Sequence, residues 1–168
     1  CYMNGYNDPR REKMFTTVKV KETVGGKPTD VDGYAGVRIG IDVPNKDNVK
    51  DRYSKPITST TSPYMWINAA EITFLRAEGA LRGWSMSGEA KTLYEQAINL
   101  SFEQYGASGA DTYIADATSQ PQAYTDPTGS YSAGQTSSIT IAWQDGSSND
   151  EANLERIITQ KWIAMFPC

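Results

Sequence analysis

The side chains that could carry chemistry narrow the choices at once. The chain has no histidine, which removes the commonest general base and metal ligand. Its two cysteines, Cys1 and Cys168, stand at opposite ends and make no zinc cluster. Gly83-Trp84-Ser85-Met86-Ser87-Gly88 has the look of a nucleophile elbow. The G-x-S-x-G spacing is not met, however, and the stretch separates two helical patterns, so an inter-helix turn is the better reading. Phosphate-loop and dinucleotide fingerprints are missing. Glycoside hydrolysis needs two facing carboxylates about 5–10 Å apart. With 20 acidic residues, sequence alone neither finds nor excludes such a pair. Glu71 and Glu78, on one helical stretch, are read as partners of loop backbone or of Arg76 and Arg82.

What remains is recognition. There are ten tyrosines and four tryptophans, and tyrosine joins an apolar face to a hydroxyl, which suits polar ligands with C–H-rich faces. Tyr6, Tyr34, Tyr53, Tyr113, Tyr124 and Tyr131 fall in expected loops and form the candidate ligand-binding set. Each one taken singly reads first as an ordinary anchor for its loop; as a set they are the place to search. Tyr94, Trp66, Trp143 and Trp162 are expected in or beside the core, and Trp84 over the end of a helical hairpin. No cofactor or metal is called for.

The elements that must position these side chains are mainly helical. Residues 1–13 are polar and turn-rich, with Asn4-Gly5 and Asn7-Asp8-Pro9. Met14 to Val20 is β-branched and reads as a short strand, Gly25-Gly26 as a turn, and Val31 to Val43 as an extended, glycine-interrupted segment. A polar loop covers 44–62. Ser62-Pro63 carries a helix-start signal, and a helix is expected over about 63–83. One apolar face is Ile67, Ala70, Phe74, Ala77 and Leu81, and a second is Met65, Ala69, Ile72 and Ala80; a helix apolar on two faces sits between neighbours. Ser87 opens a helix over about 87–106, with Ala90, Leu93, Tyr94, Ala97, Ile98 and Phe102 as its stripe and Gly106 as its stop. A long Gly/Ser/Thr-rich loop follows over 106–137, a length that is often functional. Residues 139–143 read as a short strand. Asp150 caps a last helix over 151–166, with Leu154, Ile157, Ile158, Trp162 and Met165 as its stripe.

Bulk properties bound the function further. The 168 residues suit one domain, and the net charge of −4 comes without a run of five or more like charges. Nucleic-acid binding, which needs clustered Lys and Arg, has no support. No apolar run is long enough to span a bilayer, and the start of the chain is not a signal peptide. The two terminal cysteines are read as the closure of an excised or trimmed piece, worth about 4–5 kcal/mol if they are joined; the alternative is two free thiols.

The two central helices have tetratricopeptide-like spacing, with Phe74, Ala77 and Leu81 in the first and Ala90, Tyr94 and Ala97 in the second. Glu78 and Phe102 depart from that pattern. The stretches Met65 to Glu71 and Phe74 to Trp84 resemble the central helix of the SusD/RagB family. Leu93 to Ile98, with Ser101-Phe102-Glu103, is similar to that family's next helix. Asn153 to Ala164 matches its late helix, and Asn7-Asp8-Pro9-Arg10 its "DPR" turn. The resemblance runs in order along the whole chain and identifies it as a fragment, over 1–168, of a SusD-like nutrient-binding lipoprotein.

That resemblance implies a mainly α fold: a tetratricopeptide-like hairpin plus a late helix, with long irregular loops and a few short strands. It also implies non-catalytic capture of an oligosaccharide, or a peptide, at the bacterial outer-membrane surface, beside a SusC-like TonB-dependent transporter. The alternative is a protein-interaction or antigen module cut from such a protein, with no ligand binding of its own; a hydrolase is the third class.

Overall fold

The computed structural model describes residues 1–42 and 51–166. The expected Cys1–Cys168 pairing and the Pro167 stop therefore lie outside the described residues, as does Pro44 in the polar loop.

Two short helices, α1 (Tyr2–Gly5) and α2 (Arg11–Met14), open the chain. An antiparallel hairpin follows, of β1 (Val18–Val24) and β2 (Lys27–Gly33), with Val18 opposite Gly33 and Val20 opposite Val31. Gly25 and Gly26 both take positive φ, 57° and 79°, the geometry of the hairpin turns whose twist matches the strands. Cross-strand pairs Lys19–Asp32 and Lys21–Asp30 line its exposed side. The strand expected over 14–20 thus begins four residues later. Met14 instead ends α2 and is buried, and its carbonyl accepts from the Ile57 N–H at 2.8 Å.

The scaffold is a helical trio: α3 (Ala69–Leu81), α4 (Ala90–Tyr105) and α6 (Asp150–Ala164), with a five-residue α5 (Ala110–Ile114) on α4. The helices α3 and α4 fold back on each other as a hairpin, and α6 packs along α3. Ala70, Phe74 and Ala77 of α3 meet Leu93, Tyr94, Ala97, Ile98 and Phe102 of α4, all buried. Small residues let the helices approach, and the Phe74 and Tyr94 rings meet edge-on at 6.1 Å. Gly83 and Gly106 end the two helices in left-handed conformations. Past Gly106, the Ala107 N–H bonds back to Phe102 O at 2.9 Å, closing a Schellman motif.

Helix α3 starts at Ala69 rather than Pro63. Ser62, the expected cap, is occupied locally: its hydroxyl accepts from the Ser59 N–H. Asn68 caps the helix instead, accepting from Glu71 N at 2.6 Å while its amide donates to Ala164 O at the far end of α6. Capping and tertiary contact coincide at one residue, and 63–68 stay outside the helix. Of the expected second face, Met65, Ala69 and Ile72 are exposed and Ala80 is half-buried; Ile67 of the first face and Leu75, outside both, are exposed as well. Helix α4 likewise begins at Ala90 because Ser87 sits at φ 55° and gives its carbonyl to Arg76.

The last helix corrects its expected stripe. The face toward the core carries Asn153, Arg156, Ile157, Gln160, Ile163 and Ala164, whereas Ile158 and Trp162 are exposed. A 3-10 turn, Ser147–Asn149, leads in, with Asn149 rather than Asp150 at the cap position. Trp66 and Trp84 are also exposed, and Trp143 is half-buried against Tyr94. The strand expected over 139–143 does not form. Ile139 and Ile141 do point inward, but their carbonyls accept from the hydroxyls of Tyr6 (3.0 Å) and Tyr94 (2.7 Å) rather than from another strand.

One buried ion pair ties the start of the chain to this scaffold. Arg10 grips Asp8 in a fork, Nε to Oδ1 at 2.9 Å and Nη2 to Oδ2 at 2.6 Å. It also donates to Ser101 Oγ of α4 (2.8 Å) and Gln160 Oε1 of α6 (2.9 Å). The guanidinium lies 4.9 Å from the Phe102 ring centroid and 5.2 Å from that of Tyr113. The Tyr113 hydroxyl donates to Asp8 Oδ2 and accepts from Gln160 Nε2. Burial alone lowers the pKa of Arg10, but its bonds to Asp8 and the charge beside Tyr113 outweigh that, so its pKa is raised.

Gly5 allows the nearby loop to pass, because a Cβ there would lie 2.1 Å from Gln120 O. Gly5→Ala is therefore expected to destabilise by about 1–3 kcal/mol through overpacking against rigid backbone, read as a fall in urea midpoint with unchanged slope. Arg10→Met leaves Asp8 buried without its cation and is expected to cost about 3–5 kcal/mol in the same measurement; Arg10→Lys recovers little of this, because an ammonium cannot reproduce the fork.

Candidate functional site

The six candidate tyrosines separate into two groups. Tyr6, in the turn after α1, and Tyr113, in α5, both lie in the core, with rings edge-to-face at 6.4 Å. Their hydroxyls are used internally, by Ile139 O and by the Asp8–Gln160 network. Burial pushes both phenols above their usual pKa. The other four, Tyr34, Tyr53, Tyr124 and Tyr131, lie in segments that converge on one irregular region.

The centre of that region is a residue outside the candidate set. Asp126 is buried, at 3% exposure, in the loop Asp126-Pro127-Thr128-Gly129-Ser130-Tyr131. Its Oδ1 accepts from the Tyr53 hydroxyl at 2.8 Å. Its Oδ2 accepts from the Thr128 hydroxyl and from the N–H groups of Ser130 (3.1 Å) and Tyr131 (3.2 Å). Its own N–H donates to Ser132 Oγ. Burial pushes this carboxyl up, but the bonds from Thr128, Tyr53 and the Tyr131 N–H win and bring its pKa down from 3.8 to about 2. The same side chain fixes the backbone of the loop and the ring of a tyrosine from a segment far away in sequence.

Tyr124 and Ala133 close the loop with a reciprocal backbone pair, at 2.9 and 3.0 Å. The Tyr124 hydroxyl donates to Gly36 O at 2.9 Å. Burial, and then the charge of Asp126, push the Tyr124 phenol up to about 12. Arg38 Nη1 reaches Tyr131 O at 3.2 Å, and the Arg52 guanidinium approaches Pro127 O at 3.5 Å. Tyr34 is held from the other side: the Arg11 guanidinium lies 4.5 Å from its ring centroid, and its carbonyl accepts from Asn4 Nδ2 at 2.8 Å. Ala35 and Ser54 bond reciprocally, joining the Tyr34 and Tyr53 segments.

Tyr34, Tyr124 and Tyr131 are each half-buried, so part of each side chain meets solvent, and Arg38 is exposed beside them. Tyr53 is buried and acts as a strut. The region offers aromatic surface, guanidinium donors and loop carbonyls. Asp126 is poorly suited to proton transfer, because its oxygens are already filled and its pKa is far from neutrality. Among the described residues no group of three or more Asp, Glu or Cys side chains is placed to hold a metal ion. No described helix is long and apolar enough to cross a membrane. Sequence reading missed Asp126, Arg38 and Arg52. The available signal was the Asp-Pro-Thr-Gly run, since Asp bonding to backbone two to five residues on marks such loops.

The chain is a helical scaffold carrying an irregular, tyrosine-lined surface. The chain belongs to the SusD-like family: the family model for Susd and RagB outer membrane lipoproteins matches residues 1–168. Members of that family are binding proteins, not enzymes. The fold is similar to a solved SusD homologue from Bacteroides thetaiotaomicron (52% identity, TM-score 0.89, covering 99% of this chain and 34% of that one). It is also similar to a SusD homologue from Bacteroides uniformis (45%, 0.86, 99% and 33%). A third, from Flavobacterium johnsoniae and described as chitin-binding, matches at 43% identity and TM-score 0.80, covering 99% of this chain and 33% of its own. The chain thus spans about a third of the length of these relatives. Among curated proteins, none matches.

The hydrogen bonds at Asp126 set a pH dependence. A carboxyl whose folded pKa is depressed adds stability above its unfolded pKa and loses it as pH falls through the folded value. The stability gap between the wild type and Asp126→Asn is therefore expected to be constant above about pH 5 and to narrow as pH falls from about 4 to about 2, measured by urea denaturation at each pH.

Proposed function

We propose that this chain forms part of an oligosaccharide-capture surface at the bacterial outer membrane, working beside a SusC-like TonB-dependent transporter. The observation that carries the reading is the Asp126 knot, which gathers the Tyr34, Tyr53, Tyr124 and Tyr131 segments, with Arg38 and Arg52, into one held region. Tyrosine rings pack on the C–H faces of sugars, and guanidinium groups and carbonyls bond their hydroxyls without demanding charge. Family membership supports the setting, and a chitin-binding relative supports a glycan as ligand. N-acetylated and neutral oligosaccharides are accordingly the ligands to test first.

In this reading Tyr34, Tyr124 and Tyr131 contact ligand, while Tyr53 and Asp126 hold the loop in its binding conformation. Tyr6 and Tyr113 serve the core. Preorganisation matters because ordering a loop upon binding subtracts from affinity.

Calorimetric titration of the longer parent protein with a panel including chitooligosaccharides tests the proposal. One member of the panel is expected to bind, and Tyr131→Ala to weaken it by about tenfold or more, as for a central aromatic contact. Asp126→Asn is expected to lower affinity together with stability at neutral pH, because the same bonds hold the loop and depress the Asp126 pKa. Absence of binding across the panel, or affinity unmoved by Tyr131→Ala and Tyr124→Ala, overturns it.

A further inference from the structure

The loop around Asp126 is flanked by two guanidinium groups that meet no carboxylate. Arg38 and Arg52 are both exposed, and neither pairs with an Asp or Glu among the described residues. Each gives one N–H to a carbonyl of that loop, Arg38 to Tyr131 O at 3.2 Å and Arg52 to Pro127 O at 3.5 Å. A guanidinium carries five donors in one plane, so most of each fork is left to solvent. Elsewhere on the surface cations are matched: Lys19, Lys21, Lys55, Arg82 and Lys91 each face an Asp or Glu at 2.8–3.4 Å. The chain as a whole is acidic, with a net charge of −4, so the unmatched pair runs against the general charge.

The carboxylates nearest in the sequence and the fold are already engaged. Asp126 is buried with both oxygens accepting bonds, and Asp51, next to Arg52 in the chain, pairs with Lys55 at 3.1 Å. Arg11 adds a third guanidinium, 4.5 Å from the Tyr34 ring centroid. A sugar hydroxyl can accept one N–H from such a group but leaves its charge unmet. A carboxylate or sulfate accepts two N–H groups at once, in bonds about twice as strong as neutral ones. We propose that Arg38 and Arg52 form a subsite for an anionic substituent, a uronate carboxylate or a sulfate ester, on an oligosaccharide whose uncharged rings pack against Tyr34, Tyr124 and Tyr131. Neutral and N-acetylated sugars fill the ring contacts and leave the two cations unmet. This inference rests on the glycan reading and names the charge of its ligand.

Calorimetric titration of the full parent protein with matched ligands tests it: hyaluronan oligosaccharides against their carboxyl-reduced form, oligogalacturonides against their methyl esters, and O-sulfated against plain chitooligosaccharides. At least one charged member is expected to bind about tenfold tighter than its uncharged match, with the advantage falling as salt rises. Whether the carboxylate or the sulfate arm shows the larger ratio identifies the substituent. The double variant Arg38→Gln/Arg52→Gln is expected to bring that ratio close to one. Arg38→Lys/Arg52→Lys is expected to keep part of it, since the charge remains and the fork is lost. Charged and uncharged members bound equally well overturn the proposal and leave the glycan reading standing, as does a charge preference that survives the glutamine variant. No binding by any member, charged or uncharged, overturns both.

Discussion

Arg10 reaches the interior with its charge, and the structure is arranged to accommodate it. A guanidinium carries five donors in a fixed plane, and taking it out of water costs several kcal/mol unless those donors and the charge are met. Asp8 meets the charge in a fork; Ser101 and Gln160 accept further donors; Phe102 and Tyr113 pack beside the cation. These five partners come from four elements: the opening turn, α4, α6 and α5. The arrangement is satisfied only when all four are docked, so a polar cluster acts as a geometric lock on a mainly apolar core. It also explains why the inner face of α6 carries Gln160 where a hydrophobic residue would be simpler. Asn153 performs a similar service for the Gln144 backbone.

The irregular half of the molecule repeats the logic with a different solution. Asp126 is as buried as Asp8 but is met by hydroxyls and backbone N–H groups rather than by a cation. An ion pair would hold two side chains together. A carboxylate accepting several donors holds a whole loop, because each N–H fixes a peptide plane. That suits a surface whose work is to present rings and carbonyls in fixed positions. Further along the chain, the hydroxyls of Tyr6 and Tyr94 hold the carbonyls of Ile139 and Ile141.

Family membership places these features in context without replacing them. The solved relatives match the helical hairpin and the loops alike, over 99% of this chain. Two surfaces of this chain are of different kinds. The tyrosine-rich region around Asp126 is polar, internally braced and open to solvent. The outer face of α3 is aliphatic and unbraced.

The amino-acid sequence by itself determined the helical scaffold. The stripes of α3 and α4 repeat at helical spacing, Gly83 and Gly106 stop them, and the small residues Ala77 and Ala97 permit close approach. These are local signals, and the structure keeps them. Family membership was legible for the same reason, since its matching stretches lie on those helices and on the Asp8-Pro9-Arg10 turn. What only the tertiary structure decided is where long-range partners override local preference. Ser62-Pro63 has the better helix-start chemistry, yet Asn68 starts the helix because it alone also reaches Ala164. Residues 139–143 alternate like a strand, yet no strand lies beside them. Trp162 fits an apolar stripe, yet Gln160 takes the inner face because Arg10 requires an acceptor there. Tyr6, Tyr53 and Tyr113 sit in loop-like sequence and are nevertheless buried. Burial of a polar group depends on partners up to 150 positions away, and no window of neighbouring residues contains that information.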